Sequence, residues 1–490
     1  MNRSLASAMG WACLAWPAVA APKPNIVFVL TDQWRASAFG HAGDPNVKTP
    51  QLDRLAAQSV RFANAVSVCP VCTPYRAALL TGRFPTTTGM FLNDLYLPDA
   101  ELCMAEILKA AGYDTAYIGK WHLDGHGRSA YIPPERRQGF DDWKTSECDH
   151  EYNHSHYYDG TSPVKQYWPG YDAYAQTAAA RQYLRGHAKS DKPFLLLVAY
   201  GAPHFPHASA PPEYQMLYPP EKLTLAPNVP AARAAAARKE LVGYYAHCSA
   251  LDQCVGELLE TLRETGLAAN TLVVFTSDHG EMMGAHDIPP RMKQWPYDEA
   301  VHVPFLLYDA RAAAHVVDTP LNTPDILPTL LGLAGVAVPK SIEGDDLSAL
   351  VTGSGPGPDR AALIMSVSPF IPGLIEYRGI RTTRYTYVRK TSGPWLLFDN
   401  RRDPYQANNL AEDPAHSALR EVLDVKLQAA LKNVGDEFHP CQYYLDKWGY
   451  DLSPHDSVSY APNAKVQSPR LRERVTDPRN PPSVPDVNAK

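Results

Sequence analysis

Four short apolar runs stand out along the chain, and none of them alternates cleanly between apolar and polar positions. They are Asn25–Leu30, Thr115–Ile118, Phe194–Tyr200 and Thr271–Thr276. Continuous apolar runs are typical of strands that are buried on both faces of a parallel sheet. We therefore predict four central strands at these positions.

A helical pattern lies between the third and fourth runs. Seven apolar residues recur there at spacings of three and four: Leu241, Tyr244, Cys248, Leu251, Val255, Leu258 and Leu262. This spacing places them on one face of a helix, and Gly266 is expected to cap its C-terminus. Strands that alternate with helices predict an α/β fold around a parallel sheet.

Polar residues follow the end of each predicted strand. The four ends read Thr31-Asp32-Gln33, Gly119-Lys120-Trp121-His122, Gly201-Ala202-Pro203-His204 and Ser277-Asp278-His279-Gly280. Open α/β sheets bind ligands outside the carboxyl ends of their strands. We therefore expect these side chains to converge in one site.

The composition changes at residues 353–358, where glycine and proline predict a linker. Apolar runs at Ala362–Val367, Tyr385–Arg389 and Trp395–Phe398 precede a helical stretch over Ser417–Leu431. The sequence thus predicts a main domain over 21–358 and a smaller α+β subdomain over 359–450. A polar, proline-rich tail is predicted over 451–490.

The N-terminus has the features of a signal peptide over residues 1–20. Arg3 precedes an apolar stretch from Leu5 to Val19, and Ala18-Val19-Ala20 fits a cleavage site. The stretch is too short for a comfortable membrane span, and nothing later in the chain reads as one. We expect an exported protein, periplasmic or secreted.

Charge and cysteine content narrow the class of protein. The 490 residues carry a net charge of -6, so no basic surplus indicates nucleic-acid binding. Of eight cysteines, Cys13 would leave with the signal peptide. Seven cysteines at irregular spacing do not form a disulfide scaffold, although one or two bridges remain open.

One cysteine lies in a distinctive motif. Cys72-Thr73-Pro74-Tyr75-Arg76 is followed by Leu80-Thr81-Gly82-Arg83. Cys69 and Cys72 also form a C-x-x-C pair, which can mark a redox site or half of a zinc site. No second C-x-x-C completes four zinc ligands. The longer motif resembles the signature of the type I sulfatases, in which this cysteine is oxidised to formylglycine.

The resemblance covers residues 23 to 410 and rests on several further segments. They are Pro24-Asn25-Ile26-Val27-Phe28 leading to Asp32, Gly119-Lys120-Trp121-His122-Leu123, Pro203-His204-Phe205-Pro206, Ser277-Asp278-His279-Gly280, Lys293, Asp403-Pro404 and Asn409-Leu410. It implies an alkaline-phosphatase-like α/β/α sandwich with a mostly parallel central sheet and a smaller C-terminal α+β subdomain.

The resemblance also implies a metal site and a cofactor. Asp32, Gln33, Asp278, His279 and the modified Cys72 would hold one divalent cation, Ca²⁺ first and Mn²⁺ or Mg²⁺ as alternatives. Formylglycine would be made from Cys72 by a formylglycine-generating maturation enzyme, which is an expected partner.

The resemblance assigns the catalytic roles as well. Arg76 would hold the aldehyde hydrate, while Lys120 and Lys293 would grip sulfate oxygens. The implied reaction is a double displacement through a covalent sulfo-enzyme intermediate. His204 would protonate the departing alcohol oxygen, and His122 would deprotonate the remaining hydroxyl of the hydrate so that sulfate leaves.

Two residues depart from the commonest family pattern. Gln33 stands where a second Asp is frequent, and His279 stands where Asn is frequent. Both also resemble choline sulfatases and phosphonate monoester hydrolases. The leading prediction is a hydrolase of carbohydrate sulfate esters; a phosphonate monoester or phosphate diester hydrolase on the same scaffold is the alternative. A non-catalytic sugar-binding relative is the third, although the intact catalytic residues argue against it.

The segment Glu147–Tyr174 is dense in aromatic residues and histidines. Aromatic faces and polar edges suit a sugar ring, so His150, His154 and His156 are candidate substrate-binding residues. An ordered loop packed on the domain is the other interpretation. The expected ligand is a small-molecule or saccharide sulfate ester.

Overall fold

The computed structural model describes residues 22–353, 357–371 and 373–452. The predicted signal peptide over 1–20 and all but the first two residues of the predicted tail lie outside the described residues. Most of the described chain folds into a large mixed sheet with helices on both faces, followed by a small antiparallel sheet.

The strands of the described residues are numbered along the chain: β1 (Asn25–Asp32), β2 (Val60–Phe62), β3 (Ala65–Val66), β4 (Asp114–Lys120), β5 (Asp142–Ser146), β6 (His156–Asp159), β7 (Gln166–Tyr167), β8 (Phe194–Pro203), β9 (Thr271–Ser277), β10 (Phe305–Tyr308), β11 (His315–Val317), β12 (Leu321–Asn322), β13 (Ala362–Ser366), β14 (Tyr377–Arg381), β15 (Tyr385–Lys390) and β16 (Gly393–Asp399). The large sheet has the order β11-β2-β10-β9-β1-β8-β4-β5-β6-β7.

The centre of the large sheet is parallel. Strands β9, β1, β8, β4 and β5 all run in one direction, whereas β10 and β6 run antiparallel on either side of them. The four predicted strands correspond to β1, β4, β8 and β9. Each extends one to three residues beyond its predicted C-terminal end, because hydrogen bonding continues into the polar residues.

The helices of the described residues are α1 (Pro50–Ala57), α2 (Cys72–Thr81), α3 (Pro85–Thr88), α4 (Met104–Ala110), α5 (Asp172–His187), α6 (Pro212–Gln215), α7 (Ala231–Glu264), α8 (Asp298–Val301), α9 (Ile326–Leu333), α10 (Ser348–Val351), α11 (Ser417–Asn433) and α12 (Cys441–Trp448). None of these helices combines the length and hydropathy that crossing a membrane requires.

Alternate residues of β1 belong to different cores. Ile26, Phe28 and Leu30 pack on the side that carries α2, α4 and α9. Val27 and Val29 pack on the opposite side, against α5 and α7. A strand that is buried on both faces has to be apolar throughout, which explains the continuous run. The predicted α/β/α sandwich is thereby confirmed.

Helix α7 begins ten residues before the predicted apolar pattern. Its first turns, Ala231–Arg238, are rich in alanine and largely solvent-facing. Alanine favours a helix through its backbone propensity without needing an apolar stripe, so the hydrophobic pattern alone misses this segment. At the other end, Gly266 adopts a φ of 75°, as expected of a residue that closes a helix.

The C-terminal subdomain contains a four-stranded antiparallel sheet in the order β13-β14-β15-β16, with α11 against it. Strands β13, β15 and β16 and helix α11 match the predicted segments. Strand β14 is missing from the prediction, because its sequence Tyr-Arg-Gly-Ile-Arg reads as polar although all five residues are buried. The domain boundary at 358/359 stays a prediction.

Candidate active site

The register of the central strands brings their polar ends together. Thr31 of β1 lies opposite Ser277 of β9, so Asp32 and Asp278 are adjacent at one edge of the sheet. Ligand atoms of Asp32, Cys72, Asp278 and His279 all lie within 4.8 Å of one another, and all four residues are buried. The expected convergence of these strand ends is thus observed at this edge of the sheet.

Cys72 is the first residue of α2. Its Sγ lies 3.6 Å from Asp32 Oδ1, 3.4 Å from His279 Nε2 and 3.2 Å from Lys293 Nζ. The thiol stands where a formylglycine hydrate would carry its oxygens. The start of a helix favours negative charge, so an oxyanion at this position would be stabilised.

The surroundings of Cys72 are strongly cationic. Burial and the Asp32 carboxylate raise the pKa of the thiol, but Lys120, Lys293 and His279 outweigh them and hold the pKa well below its ordinary value. The same positive field would act on any anion formed at residue 72.

Arg76 and Lys120 neutralise the two strand-end carboxylates. Arg76 Nη2 donates to Asp32 Oδ2 at 3.3 Å and to Asp278 Oδ2 at 3.2 Å, and Lys120 Nζ donates to Asp32 Oδ2 at 2.6 Å. Arg76 Nη1 also donates to the Lys120 carbonyl at 2.7 Å. The contacts of Arg76 are therefore with carboxylates and backbone, beside the residue that it was predicted to hold.

The pKa values of the two strand-end carboxyl groups shift in opposite directions. Burial raises the pKa of Asp32, but Lys120, His204 and Arg76 bring it well below the ordinary value. Burial and the neighbouring Asp32 raise the pKa of Asp278 to about 6. Asp278 therefore needs a cation at the site in order to ionise, more than Asp32 does.

A histidine pair lies beside Lys293. Lys293 Nζ is 3.2 Å from His204 Nε2, and His204 Nδ1 donates to the Phe205 carbonyl at 2.7 Å. The ring of His150 stacks on His204 with centroids 4.2 Å apart. Burial, followed by the charges of His150 and Lys293, holds the pKa of His204 well below its ordinary value.

The second predicted histidine has a carboxylate partner. His122 Nε2 lies 2.5 Å from Asp94 Oδ1, and Arg128 Nη2 donates to Asp94 Oδ2 at 3.0 Å. Burial lowers the pKa of His122, but Cys148 and Asp94 raise it to about 10. Its Nδ1 is buried and makes no hydrogen bond to the described residues.

The donor set at the strand ends fits a divalent cation. Besides the carboxylates and the His279 ring, Gln33 offers a buried Oε1 that lacks a hydrogen-bond partner among the described residues. A buried amide oxygen without a partner is uncommon and calls for a ligand or an ion. Carboxylate and amide oxygens suit hard cations, and an imidazole nitrogen admits Mn²⁺ as well.

The three predicted substrate-binding histidines lie in different surroundings. His150 is at the site, because it stacks on His204. His154 is exposed and stacks on the exposed ring of Tyr167, with centroids 4.4 Å apart. His156 is buried, and its Nδ1 pairs with Asp149. This ring nitrogen is therefore occupied by a residue of the same segment.

Four residues near the site did not emerge from the sequence. Asp94 and Arg128 come from loops, and Cys148 lies 3.7 Å from the ring of His150. Glu281 accepts a hydrogen bond from Gln33 Nε2 at 2.5 Å. Only Glu281 had a sequence signal, because it follows His279 by two residues in the same strand-end segment.

The described cysteines do not support the redox interpretation of Cys69 and Cys72. No disulfide joins any two of the seven described cysteines, and Cys69 is buried with a pKa raised to about 12 by burial. A buried thiol with a raised pKa is a poor nucleophile.

Comparison with known proteins decides the family. A sequence model of the sulfatase family matches residues 24–336, which is more than half of the chain. The chain belongs to the sulfatase family. A second family, described as the C-terminal part of N-sulphoglucosamine sulphohydrolase, matches residues 291–433.

Individual sulfatases are similar over most of their length. An ulvan-active sulfatase of Formosa agariphila is 56% identical over 87% of this chain and 85% of its own. An endo-4-O-sulfatase of Bacteroides thetaiotaomicron is 32% identical over 88% of this chain and 96% of its own. The solved structure of the candidate sulfatase yidJ from Bacteroides fragilis has a TM-score of 0.79 and 30% identity, covering 88% of this chain and 99% of that one. The protein is therefore a sulfatase enzyme, and the phosphonate alternative is less supported.

Proposed function

We propose that this sulfatase releases inorganic sulfate from a sulfated carbohydrate with a formylglycine made from Cys72. The observation that carries the proposal is the position of Lys293 Nζ, 3.2 Å from both Cys72 Sγ and His204 Nε2. A cation for the sulfate group and an acid for the leaving oxygen thus lie beside the residue that would carry the nucleophile.

The cofactors have separate tasks in this proposal. A divalent cation held by Asp32, Gln33, Asp278 and His279 would neutralise the sulfate charge. Formylglycine at position 72, as its hydrate, would supply the nucleophilic oxygen. The identity of the cation is proposed as Ca²⁺, since most of the donors are oxygens.

Lys120 and Lys293 bind the sulfate oxygens in this account. Lys293 faces residue 72 directly, and Lys120 reaches the same space from the end of β4 while neutralising Asp32. Their charges stabilise negative charge that develops during transfer, in a buried site where electrostatic interactions are strong. Arg76 keeps the paired carboxylates Asp32 and Asp278 ionised and in place.

His204 donates a proton to the departing alcohol oxygen. Its Nε2 faces Lys293, and the hydrogen bond from Nδ1 to the Phe205 carbonyl fixes the ring. A bound sulfate offsets the positive charge of Lys293, which raises the pKa of His204 and favours the protonated imidazole. Sugar hydroxyls are poor leaving groups, so an acid at this position suits a carbohydrate substrate.

His122 is assigned the proton that leaves residue 72 in the second half of the reaction, and it can accept that proton only as the neutral imidazole, so its raised pKa requires His122 to lose a proton first. Its Nε2 is engaged by Asp94, which leaves the buried Nδ1 for the reacting residue. The hydrogen bond to Asp94 fixes the tautomer of the ring, as a carboxylate partner does for other catalytic histidines.

Two observations favour a saccharide. One similar sulfatase is named for its activity on ulvan, and the family that matches residues 291–433 is named for a sulfated glucosamine. The segment that carries His150 also carries His154, whose exposed ring stacks on Tyr167. An exposed aromatic pair on the segment that reaches the site through His150 is suited to stacking on a sugar ring.

Export and maturation complete the proposal. The N-terminal features of residues 1–20 favour a periplasmic or secreted protein, and the maturation enzyme would act on Cys72. Measurement of sulfate release from defined sulfated mono- and oligosaccharides tests the substrate class. An aryl sulfate and an aryl phosphate diester should be assayed in parallel. Release from at least one saccharide is expected, and a clear preference for the diester would overturn the proposal.

A further inference from the structure

Glu281 is a buried carboxylate whose hydrogen bonds go to residues around the site. Its Oε2 accepts from Gln33 Nε2 at 2.5 Å. Its Oε1 accepts from the backbone N–H groups of Met283 at 3.0 Å and Arg291 at 2.8 Å. Both oxygens are therefore occupied, and Glu281 itself is outside the group of candidate metal ligands.

The hydrogen bond to Glu281 decides which way the Gln33 amide points. A carboxylate only accepts hydrogen bonds, so the amide nitrogen, the donor, has to face it. Oε1 is then directed away from Glu281, and it is buried without a partner among the described residues.

The rest of Gln33 is held as firmly. Its backbone N–H donates to Asp278 Oδ1 at 3.1 Å, and its carbonyl accepts from the Tyr244 hydroxyl at 3.1 Å. Its φ of 69° is one that few residues other than glycine adopt. The backbone and the amide nitrogen are thus fixed, and Oε1 is the atom left over.

We propose that Glu281 is a positioning residue that aims Gln33 Oε1 at the cation and that it makes an amide, rather than a carboxylate, the suitable side chain at position 33. This inference rests on the metal site of the proposed function.

Charge explains why residue 33 has to be neutral. Asp32, Asp278 and Glu281 already bring three carboxylates into one buried region. A carboxylate at position 33 would lie against Glu281, where two like charges in contact disfavour each other. Glutamine supplies an oxygen ligand and a donor for Glu281 at once.

The Glu281 carboxylate also stabilises the segment that carries Lys293. Glu281 holds the backbone of Arg291, and the Met282 N–H donates to the Met292 carbonyl at 3.0 Å. Gln33 and the backbone two residues before Lys293 are therefore anchored to one side chain. Glu281→Gln keeps an oxygen that accepts from the backbone N–H groups and changes only the group that faces Gln33.

A comparison of glutamine with glutamate at position 281 in two backgrounds tests the inference. Ca²⁺ affinity is measured by titration calorimetry on the metal-stripped full mature chain. Glu281→Gln should weaken Ca²⁺ binding about 10- to 100-fold, the usual effect of removing a residue that orients a metal ligand. In the Gln33→Glu background the same substitution should instead strengthen binding, because the new amide donates to the new carboxylate.

The controls separate this inference from the metal site on which it rests. Glu240→Gln changes a carboxylate that pairs with the Arg291 side chain without contacting Gln33, and it should leave Ca²⁺ affinity unchanged. Asp278→Asn should lose binding if the cation site is correct. Wild-type binding by Asp278→Asn would refute the metal site itself.

The inference about Glu281 fails on its own if Asp278→Asn loses binding while Glu281→Gln binds as wild type does. An effect of the same sign in both backgrounds would overturn it too. Thermal melts of the metal-free variants show whether each is folded. If Glu281→Gln alone does not fold, the comparison of Gln33→Glu with the double variant still gives the sign, and weaker binding by the double variant would contradict the proposal.

Discussion

Lys293 Nζ lies 3.2 Å from His204 Nε2, so the candidate sulfate-binding cation and the candidate general acid contact each other. The lysine disfavours a proton on the histidine until an anion arrives between them. This relationship ties protonation of His204 to occupation of the site.

Replacement of His204 by alanine should affect substrates according to their leaving groups. Sugar sulfates need a proton on the departing oxygen, so their kcat should fall by about 10²- to 10⁴-fold. Activated aryl sulfates leave as stable phenolates and should lose much less. Steady-state kinetics on both classes measure the difference.

The matched control for His204→Ala is His416→Ala, which removes a partly exposed histidine paired with Asp413 in the C-terminal subdomain. It should leave the hydrolysis of both aryl and sugar sulfates unchanged. Equal losses on aryl and sugar sulfates in a folded His204→Ala enzyme with intact formylglycine would remove His204 from the general-acid role.

The pH profile should respond to His150. Burial, His150 and Lys293 hold the pKa of His204 below its ordinary value, and a general acid has to be protonated in the free enzyme. kcat/KM on a sugar sulfate therefore falls as pH rises through that pKa. His150→Asn removes one of the groups that lower the pKa of His204, so the falling limb should move to higher pH. A limb that stays in place or moves to lower pH would contradict this account, and His154→Asn is the control.

Loss of Arg76 should destabilise the protein mainly when the metal is absent. Arg76→Gln leaves Asp32 and Asp278 buried and less compensated, and breaking a buried ion pair typically costs about 3–5 kcal/mol. Ca²⁺ should recover part of the loss, because it brings positive charge to the same carboxylates. Denaturation with excess Ca²⁺ and with a chelator checks the prediction, and equal losses in both would count against it.

The apolar pattern and the strand-end motifs of the sequence predict the central sheet and most of the candidate site. Asp32, Lys120, His204 and Asp278 could be predicted because parallel strands deliver their C-terminal residues to one edge. Asp94 could not, since a loop brings it to His122 from a distance of 28 residues along the chain.

Two further features could not be predicted from the sequence because the residues that form them are polar. Strand β14 carries two buried arginines, one of which pairs with Asp436, and such a partner is known only once the chain is folded. Glu281 follows a predicted strand end, but its role becomes visible only through its contact with Gln33.

The ion pair of Arg378 and Asp436 should make stability depend on pH. Arg378 Nε lies 2.5 Å from Asp436 Oδ2, and both side chains are fully buried. Burial raises the pKa of Asp436, but Arg378 outweighs it and lowers the pKa below the ordinary value.

A carboxyl with a lowered folded-state pKa stabilises the protein above its unfolded value of about 3.9, and this contribution is lost as pH falls through the folded pKa. Asp436→Asn should therefore cost about 3–5 kcal/mol near neutral pH and progressively less below about pH 4. Urea denaturation of wild type and variant over this range measures the difference. A gap that widens toward acid would contradict the assignment, and Asp359→Asn, at an exposed aspartate, serves as a control.

The most direct test of the central claim is mass spectrometry of the peptide that contains residue 72, taken from active enzyme purified from the native host. The account predicts that Cys72 has lost its sulfur and two hydrogens and gained one oxygen, the composition of formylglycine. An unmodified Cys72 thiol in enzyme that releases sulfate at full rate would contradict it.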